Sequence, residues 1–216
     1  MTARLTLSFD NGPDPDVTPF VLRELAARGL SATFFPVGDQ LRKPGGRELL
    51  AEVAAAGHVI GNHSMTHTVP LGESPGWETV GREIADMQDL LGDLAGDEKL
   101  FRPFGGGGRL GPHLFSPEAV QYLVAERYTV ALWNSVPRDW EDPDGWSERA
   151  RRDVQRRPWT LLVLHDIVKE AMEHLPAFLD GVLADGVEIT AELPPECVPV
   201  CRGEVTGDLG PLVAGG

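Results

Sequence analysis

Side chains able to do acid–base or metal chemistry stand where the apolar runs of this chain end. Asp10 and Asn11 follow Leu5-Thr6-Leu7-Ser8-Phe9, and His165 closes Leu161-Leu162-Val163-Leu164. His63 and His67 come after a third run, Arg102 lies in the fourth and Asp139 follows the fifth. Polar groups gathered at the C-terminal ends of buried strands converge on one face of a barrel or a parallel α/β sheet, where such folds keep their active sites. The placement predicts an enzyme. His63 and His67 are four apart, a spacing that puts two imidazoles on one face of a helical turn and lets both ligate one cation. On its own that spacing is weak, but its position after a strand end, beside Asn62 and Ser64, strengthens it. Zinc held by three protein groups with one open position activates water, so a third ligand is expected from another strand end.

The elements that must hold these groups alternate. Strands are expected at 5–9, 32–37, 58–61, 100–104, 129–133, 159–164 and 187–193, and helices at 16–28, 47–56, 77–94, 117–126, 146–156 and 167–184. Asp16 is the expected cap of the first helix and Gly29 its stop. Alternation of this kind means a parallel sheet with crossover helices in one domain. The stretch after Pro194 reads as a loose tail. Gly105 to Gly108 directly follow a strand; without a Lys-Ser/Thr or a GxGxxG pattern they read as a place where backbone approaches the site closely.

Composition narrows the class. With 216 residues and 42% hydrophobic content the chain can build one sizeable core, and a net charge of −14 argues against nucleic acid as a partner. The arginines at 149, 151, 152, 156 and 157 read as a solvated helix face beside Glu148 and Asp153. No apolar run is long enough for a membrane span, and no apolar leader follows Met1, so a cytoplasmic location is expected. Cys197 and Cys201 could pair, but the core does not depend on them.

Five motifs in order resemble those of the polysaccharide deacetylase family (NodB homology, carbohydrate esterase family 4), over almost the whole chain. T-F-D-D-G-P is matched by Ser8-Phe9-Asp10-Asn11-Gly12-Pro13, and H-[ST]-x-x-H by His63-Ser64-Met65-Thr66-His67. The Arg-Pro-aromatic motif is similar to Arg102-Pro103-Phe104-Gly105, one residue short; D-x-x-D-W to Val136-Pro137-Arg138-Asp139-Trp140; and L-x-L-H to Leu162-Val163-Leu164-His165. The resemblance implies a distorted (β/α)7 TIM-like barrel over residues 1–193, with 194–216 as the tail. It implies removal of N-acetyl groups from amino sugars with one divalent metal, zinc first, with cobalt, nickel or manganese as alternatives. By the same resemblance Asp10 is the general base, His165 the general acid, Asp139 its orienting partner and Arg102 the partner of Asp10. His63, His67 and Asn11 are the metal ligands. The backbone N–H near Phe104 stabilises the oxyanion, and Trp140 and Leu164 wall the acetyl pocket.

Asn11 departs from the family's carboxylate ligand. An amide oxygen ligates without charge, which weakens affinity but leaves a bound water more acidic. Asp14 or Asp16 as substitute ligands compete with turn and cap roles, and His113 is a further candidate. Val136 stands where the fourth motif has its first Asp, so support around Asp139 is expected to be thinner. A deformylase or cyclic-amide hydrolase on the same barrel is one alternative, and a carbohydrate-binding pseudoenzyme with a decayed metal site is another. Within the deacetylase reading, a small soluble or oligosaccharide substrate is expected ahead of insoluble polymer. Oligomeric state stays open.

Overall fold

The computed structural model describes residues 2–215; Met1 and Gly216, the outermost residues of the expected domain and tail, lie outside them. The centre of the fold is β1 (Arg4–Asp10), whose alternation sets two surfaces. Leu5, Leu7 and Phe9 join the main apolar cluster, packed with residues of α1 (Thr18–Ala26) and α9 (Leu175–Ala184). Ser8 and Asp10 instead bond Arg102, and Thr6 bonds the indole of Trp159. β6 (Trp159–His165) runs parallel to β1 in seven-residue register, from Arg4 opposite Trp159 to Asp10 opposite His165. The other edge of β1 is shared: β2 (Thr33–Phe35) pairs residues 8–10, and β7 (Glu188–Thr190) pairs residues 4–6.

Beyond β2 lies β3 (Val59–Ile60), and the bridge between Asn62 and Phe101 carries the ring on to β4 (Leu100–Phe101). β4 pairs β5 (Thr129–Val130), and a bridge from Ser135 to Leu162 returns to β6. The ring is thus a barrel whose wall has its longest ladders around β1 and two-residue pairings and single bridges elsewhere, which is the distortion. Between strands the chain runs through α2 (Gly38–Leu41), α3 (Gly46–Ala55), α4 (Trp77–Val80), α5 (Asp86–Leu91), α6 (Pro117–Ala125), α7 (Trp146–Arg156) and α8 (Lys169–Met172). Among the described residues no helix is long and apolar enough to cross a membrane.

Four expectations change. The helix expected over 77–94 is α4 and α5 separated by a π-helical turn, Gly81–Ala85, and closed by a 3-10 turn. A wider turn lets buried Glu83 reach Thr66 and frees the Ile84 carbonyl for Asn62, at the helix backbone's expense. The helix expected over 167–184 is broken into α8 and α9, with Pro176 in the first turn of α9. Asp16 does not cap α1; Asp14 Oδ1 accepts from the N–H groups of Asp16 and Val17. The segment after Pro194 is not loose: β8 (Val200–Cys201) pairs β5 and β9 (Glu204–Val205) pairs β8, both antiparallel. Cys197, Val200 and Leu212 are buried in the second apolar cluster, an anchorage that short Gly- and Pro-rich stretches conceal. Both cysteines are free, and burial pushes the Cys197 thiol up to about 12. The arginine face of α7 is exposed ion pairing, as with Arg151 and Asp185.

Candidate active site and metal centre

Asp10, Asn11, His63, His67 and His165 open onto one cleft of about 260 Å3, walled by Phe104, Trp140 and Val163 with the glycine loop 105–108. Asp10 ends β1 and His165 ends β6, and strand register alone places them side by side. Asp10 Oδ1 lies 2.7 Å from Arg102 Nη1, and Oδ2 lies 3.5 Å from His63 Nε2. Arg102 is fully buried and spends its donors on Ser8, Asp10 and the carbonyls of Ala131 and Leu132, with its guanidinium 4.0 Å from the Phe35 ring centre. A buried cation of this kind is tolerated only with its partners; removing Asp10 would cost about 3–5 kcal/mol.

The two histidines are not on a helical turn. Residues 62–67 form a bent loop with Ser64 and His67 at φ 69° and 54°. Asn62 holds it, accepting from the Ser64 N–H and donating to the Ile84 carbonyl. Ser64 Oγ accepts from the His67 N–H, and Glu83 accepts from the N–H and hydroxyl of Thr66. The bend brings the imidazole centres to 4.8 Å. His63 Nδ1 donates to the Arg102 carbonyl at 2.9 Å, so Nε2 carries the lone pair. Burial pushes both imidazoles down, to about 3, outweighing the bond from His63 to the Arg102 carbonyl and the charge of Asp10 beside His67. They are neutral and free to donate electron pairs.

Asn11 sits at φ 75°, a left-handed conformation that Asn tolerates better than most residues. Its Oδ1 is buried without a hydrogen-bond partner. Among the described residues no three His, Cys, Asp or Glu side chains gather at metal-ligand spacing. Two neutral imidazoles and an orphaned amide oxygen on one cleft fit a divalent cation, with Asn11 completing the set. Asp14 is occupied in the turn, and His113 Nε2 donates to the Gly105 carbonyl instead of facing the cleft.

His165 is the counterpart of Asp10. Its Nδ1 lies 2.7 Å from Asp139 Oδ1, and its N–H donates to Asp139 Oδ2 at 2.8 Å. Burial lowers this imidazole, but the bond to Asp139 and the charges of Asp139, Asp10 and Asp166 outweigh it, so the net direction is up. The Trp140 indole stands edge-on to the ring at 4.8 Å, as expected of a cleft wall. Leu164 does not wall the cleft: it is fully buried in the main core, because alternation along β6 sends Val163 and His165 to one face and Leu164 to the other. The Phe104 ring packs 4.0 Å from His67, and the N–H groups of 104–107 have no acceptor among the described residues. Val136 lines the cleft, and Asp139 is held through His165 rather than by a neighbouring carboxylate.

Comparison with known proteins agrees with this geometry. The polysaccharide deacetylase family model matches residues 2–122. A peptidoglycan-N-acetylglucosamine deacetylase of Bacillus cereus is 33% identical over 75% of this chain and 72% of its own length. A chitooligosaccharide deacetylase of Sinorhizobium fredii is 30% identical over 74% of this chain and 70% of its own. Among solved structures, a polysaccharide deacetylase from Bacillus cereus superposes with a TM-score of 0.74 at 27% identity, covering 92% of this chain and 96% of that one. The deacetylases of this family are metal-dependent hydrolases of carbon–nitrogen bonds. The barrel, the cleft at its strand ends and the relatives agree, and the chain belongs to the polysaccharide deacetylase family.

Proposed function

We propose that the protein removes the acetyl group from an N-acetylated amino sugar, with Asp10 as base, His165 as acid and a divalent cation, zinc first, held by His63, His67 and Asn11. One observation carries the assignment: Asp10 and His165 are register partners on adjacent strands, open onto one cleft, and each has a separate orienting partner. A proton acceptor and a proton donor at one level of the barrel are what amide hydrolysis requires. The cation, when bound, would polarise the amide carbonyl and acidify the attacking water.

The chain's own groups do the rest. Asp10, fixed by Arg102, takes the proton from the attacking water. His165, with Nδ1 committed to Asp139, presents Nε2 to the departing amine nitrogen and protonates it. The unpaired N–H groups beginning at Phe104 are the donors for the carbonyl oxygen as it becomes an oxyanion. Trp140 and Val163 exclude water around the acyl group. The relatives' named substrates, peptidoglycan N-acetylglucosamine and chitooligosaccharide, support an N-acetylglucosamine-containing oligosaccharide.

The test is acetate release from N-acetylated chitooligosaccharides by metal-loaded protein. Asp10→Asn keeps the shape beside Arg102, and the loss of a general base predicts a fall of about 10²–10⁴. Release by a folded Asp10→Asn variant at the wild-type rate would overturn the assignment.

A further inference from the structure

The glycine loop carries a second layer of organisation. Three side chains from three parts of the chain take three of its carbonyls: His113 Nε2 donates to Gly105 at 3.1 Å, Arg138 Nη2 to Gly107 at 3.4 Å and Trp133 Nε1 to Gly108 at 2.8 Å. Gly106, Gly107 and Gly108 have φ of 49°, 84° and 80°. Glycines move readily between positive and negative φ, so an unpinned peptide here could rotate and exchange its N–H for its C=O. A carbonyl turned into the cleft would repel the oxyanion that the N–H is meant to bind. Because a C=O and the following N–H share one rigid plane, each pinned carbonyl fixes the next N–H. The His113 bond thereby sets the N–H of Gly106, one of those without a protein acceptor among the described residues. The backbone also fits its support closely: a Cβ on Gly105 would stand 2.5 Å from the Trp133 ring, and one on Gly108 would stand 2.7 Å from Val136.

We infer that His113, with Trp133, is a positioning residue: it holds the 105–108 loop in the form that presents N–H groups to the substrate carbonyl oxygen. This rests on the proposed amide hydrolysis, and His113 acts through the loop without touching substrate.

The experiment compares His113→Leu, which removes the donor at similar volume, with His113→Gln, which keeps an N–H donor. Loss of an oxyanion donor costs about 10²–10³ in turnover, and loosening one costs a part of that, about tenfold. For His113→Leu we expect kcat to fall about tenfold with KM within about twofold and metal content unchanged, and His113→Gln to recover most of the loss. Acetate, the carboxylate product, gives a readout independent of turnover. In zinc-loaded protein it should shift the Gly106 amide resonance in wild type and His113→Gln and leave it unmoved in His113→Leu. Wild-type kcat in His113→Leu, an equal loss in both variants, or acetate shifts that are the same in His113→Leu as in wild type or missing from wild type would each overturn the inference. If wild type releases no acetate from any amino sugar, the proposed activity fails, and the acetate titration still decides the role of His113.

Discussion

Asp139→Asn tests the acid more sharply than deleting His165, because it preserves the outline of the pair and removes its charge. Asp139 is fully buried and takes both of its bonds from one residue, at 2.7 Å from Nδ1 and 2.8 Å from the N–H of His165. An Asn offers one oxygen for two donors and sets its NH2 against the other. A hydrogen bond to a charged group is worth about 1.5–3 kcal/mol. At about 1.4 kcal/mol per decade, that is about ten- to a hundredfold in the protonation equilibrium of His165. In the wild type the Asp139 bond and charge overcome burial and hold the imidazole above 6.5; in the variant burial gains ground and the proton leaves at lower pH. The active form of an acid is the protonated one, so the alkaline limb of kcat/KM should move toward acid. Activity on the alkaline side of the wild-type limb should fall more than activity on the acid side of the variant's limb, by up to about ten- to a hundredfold. Stability follows the same sign. A raised folded-state pKa stabilises fully below 6.5 and loses that contribution as pH rises through the folded value, so the urea penalty of Asp139→Asn should be larger at about pH 6 than at about pH 9. The assays are a pH–rate profile on an N-acetylated chitooligosaccharide and an NMR titration of the His165 ring. A uniform loss of rate with the alkaline limb unmoved would refute His165 as the acid.

His63→Ala should remove metal and turnover together, measured as moles of metal per chain; a fully active variant would end the ligand assignment. Asn11→Asp brings a charge to the metal and should tighten its dissociation constant about tenfold or more, whereas an unchanged constant would mean Asn11 is not a ligand. Burial pushes the Asp166 carboxyl up to about 7, against the opposing bond from Thr18. Only the unfolded chain ionises this carboxyl between the ordinary 3.8 and that value, so the contribution of Asp166 falls as pH rises across this window, by on the order of 4 kcal/mol at most, and Asp166→Asn should gain on wild type over the same range. A difference in urea midpoint between Asp166→Asn and wild type that stays constant from about pH 4 to about pH 7 would contradict that. Gly12→Ala would set a Cβ 2.3 Å from the same carboxylate and should destabilise by about 1–3 kcal/mol in urea titration; a neutral result would show that the carboxylate has room to swing aside.

The strand ends were legible in the sequence because strand chemistry is local. Two-residue alternation in 4–10 and the run at 159–165 are enough to find β1 and β6, and register then delivers Asp10 and His165 to one place. What stayed hidden depends on partners far along the chain. The π turn at 81–85 exists for buried Glu83 and the Ile84 carbonyl, whose partners Thr66 and Asn62 lie about twenty residues earlier. H-x-x-x-H suggested a helical turn, but the side chains of Asn62 and Ser64 bond the backbone locally and bend it away from helix. Leu164 was misplaced because a motif names neighbours in sequence, whereas a strand sends them to opposite faces. The anchorage of 195–213 had no periodic signal at all: its internal hydrogen bonds make only turns and a two-residue β8–β9 pairing, and what ties it down are bonds with Leu132, Phe115 and β5.

The shared edge of β1 also imposes an order on biosynthesis. β1 holds seven pairing positions for β6, more than 150 residues later, and three for β7. Until residue 159 emerges, a nascent chain carries an apolar strand with one edge open, and β5 in turn stays open until β8 follows. Open edges of this kind recruit other strands, and closure over such separations is slow. The half-made protein therefore depends on being held apart from its copies, and Asp10 and His165 come together only once β6 is translated.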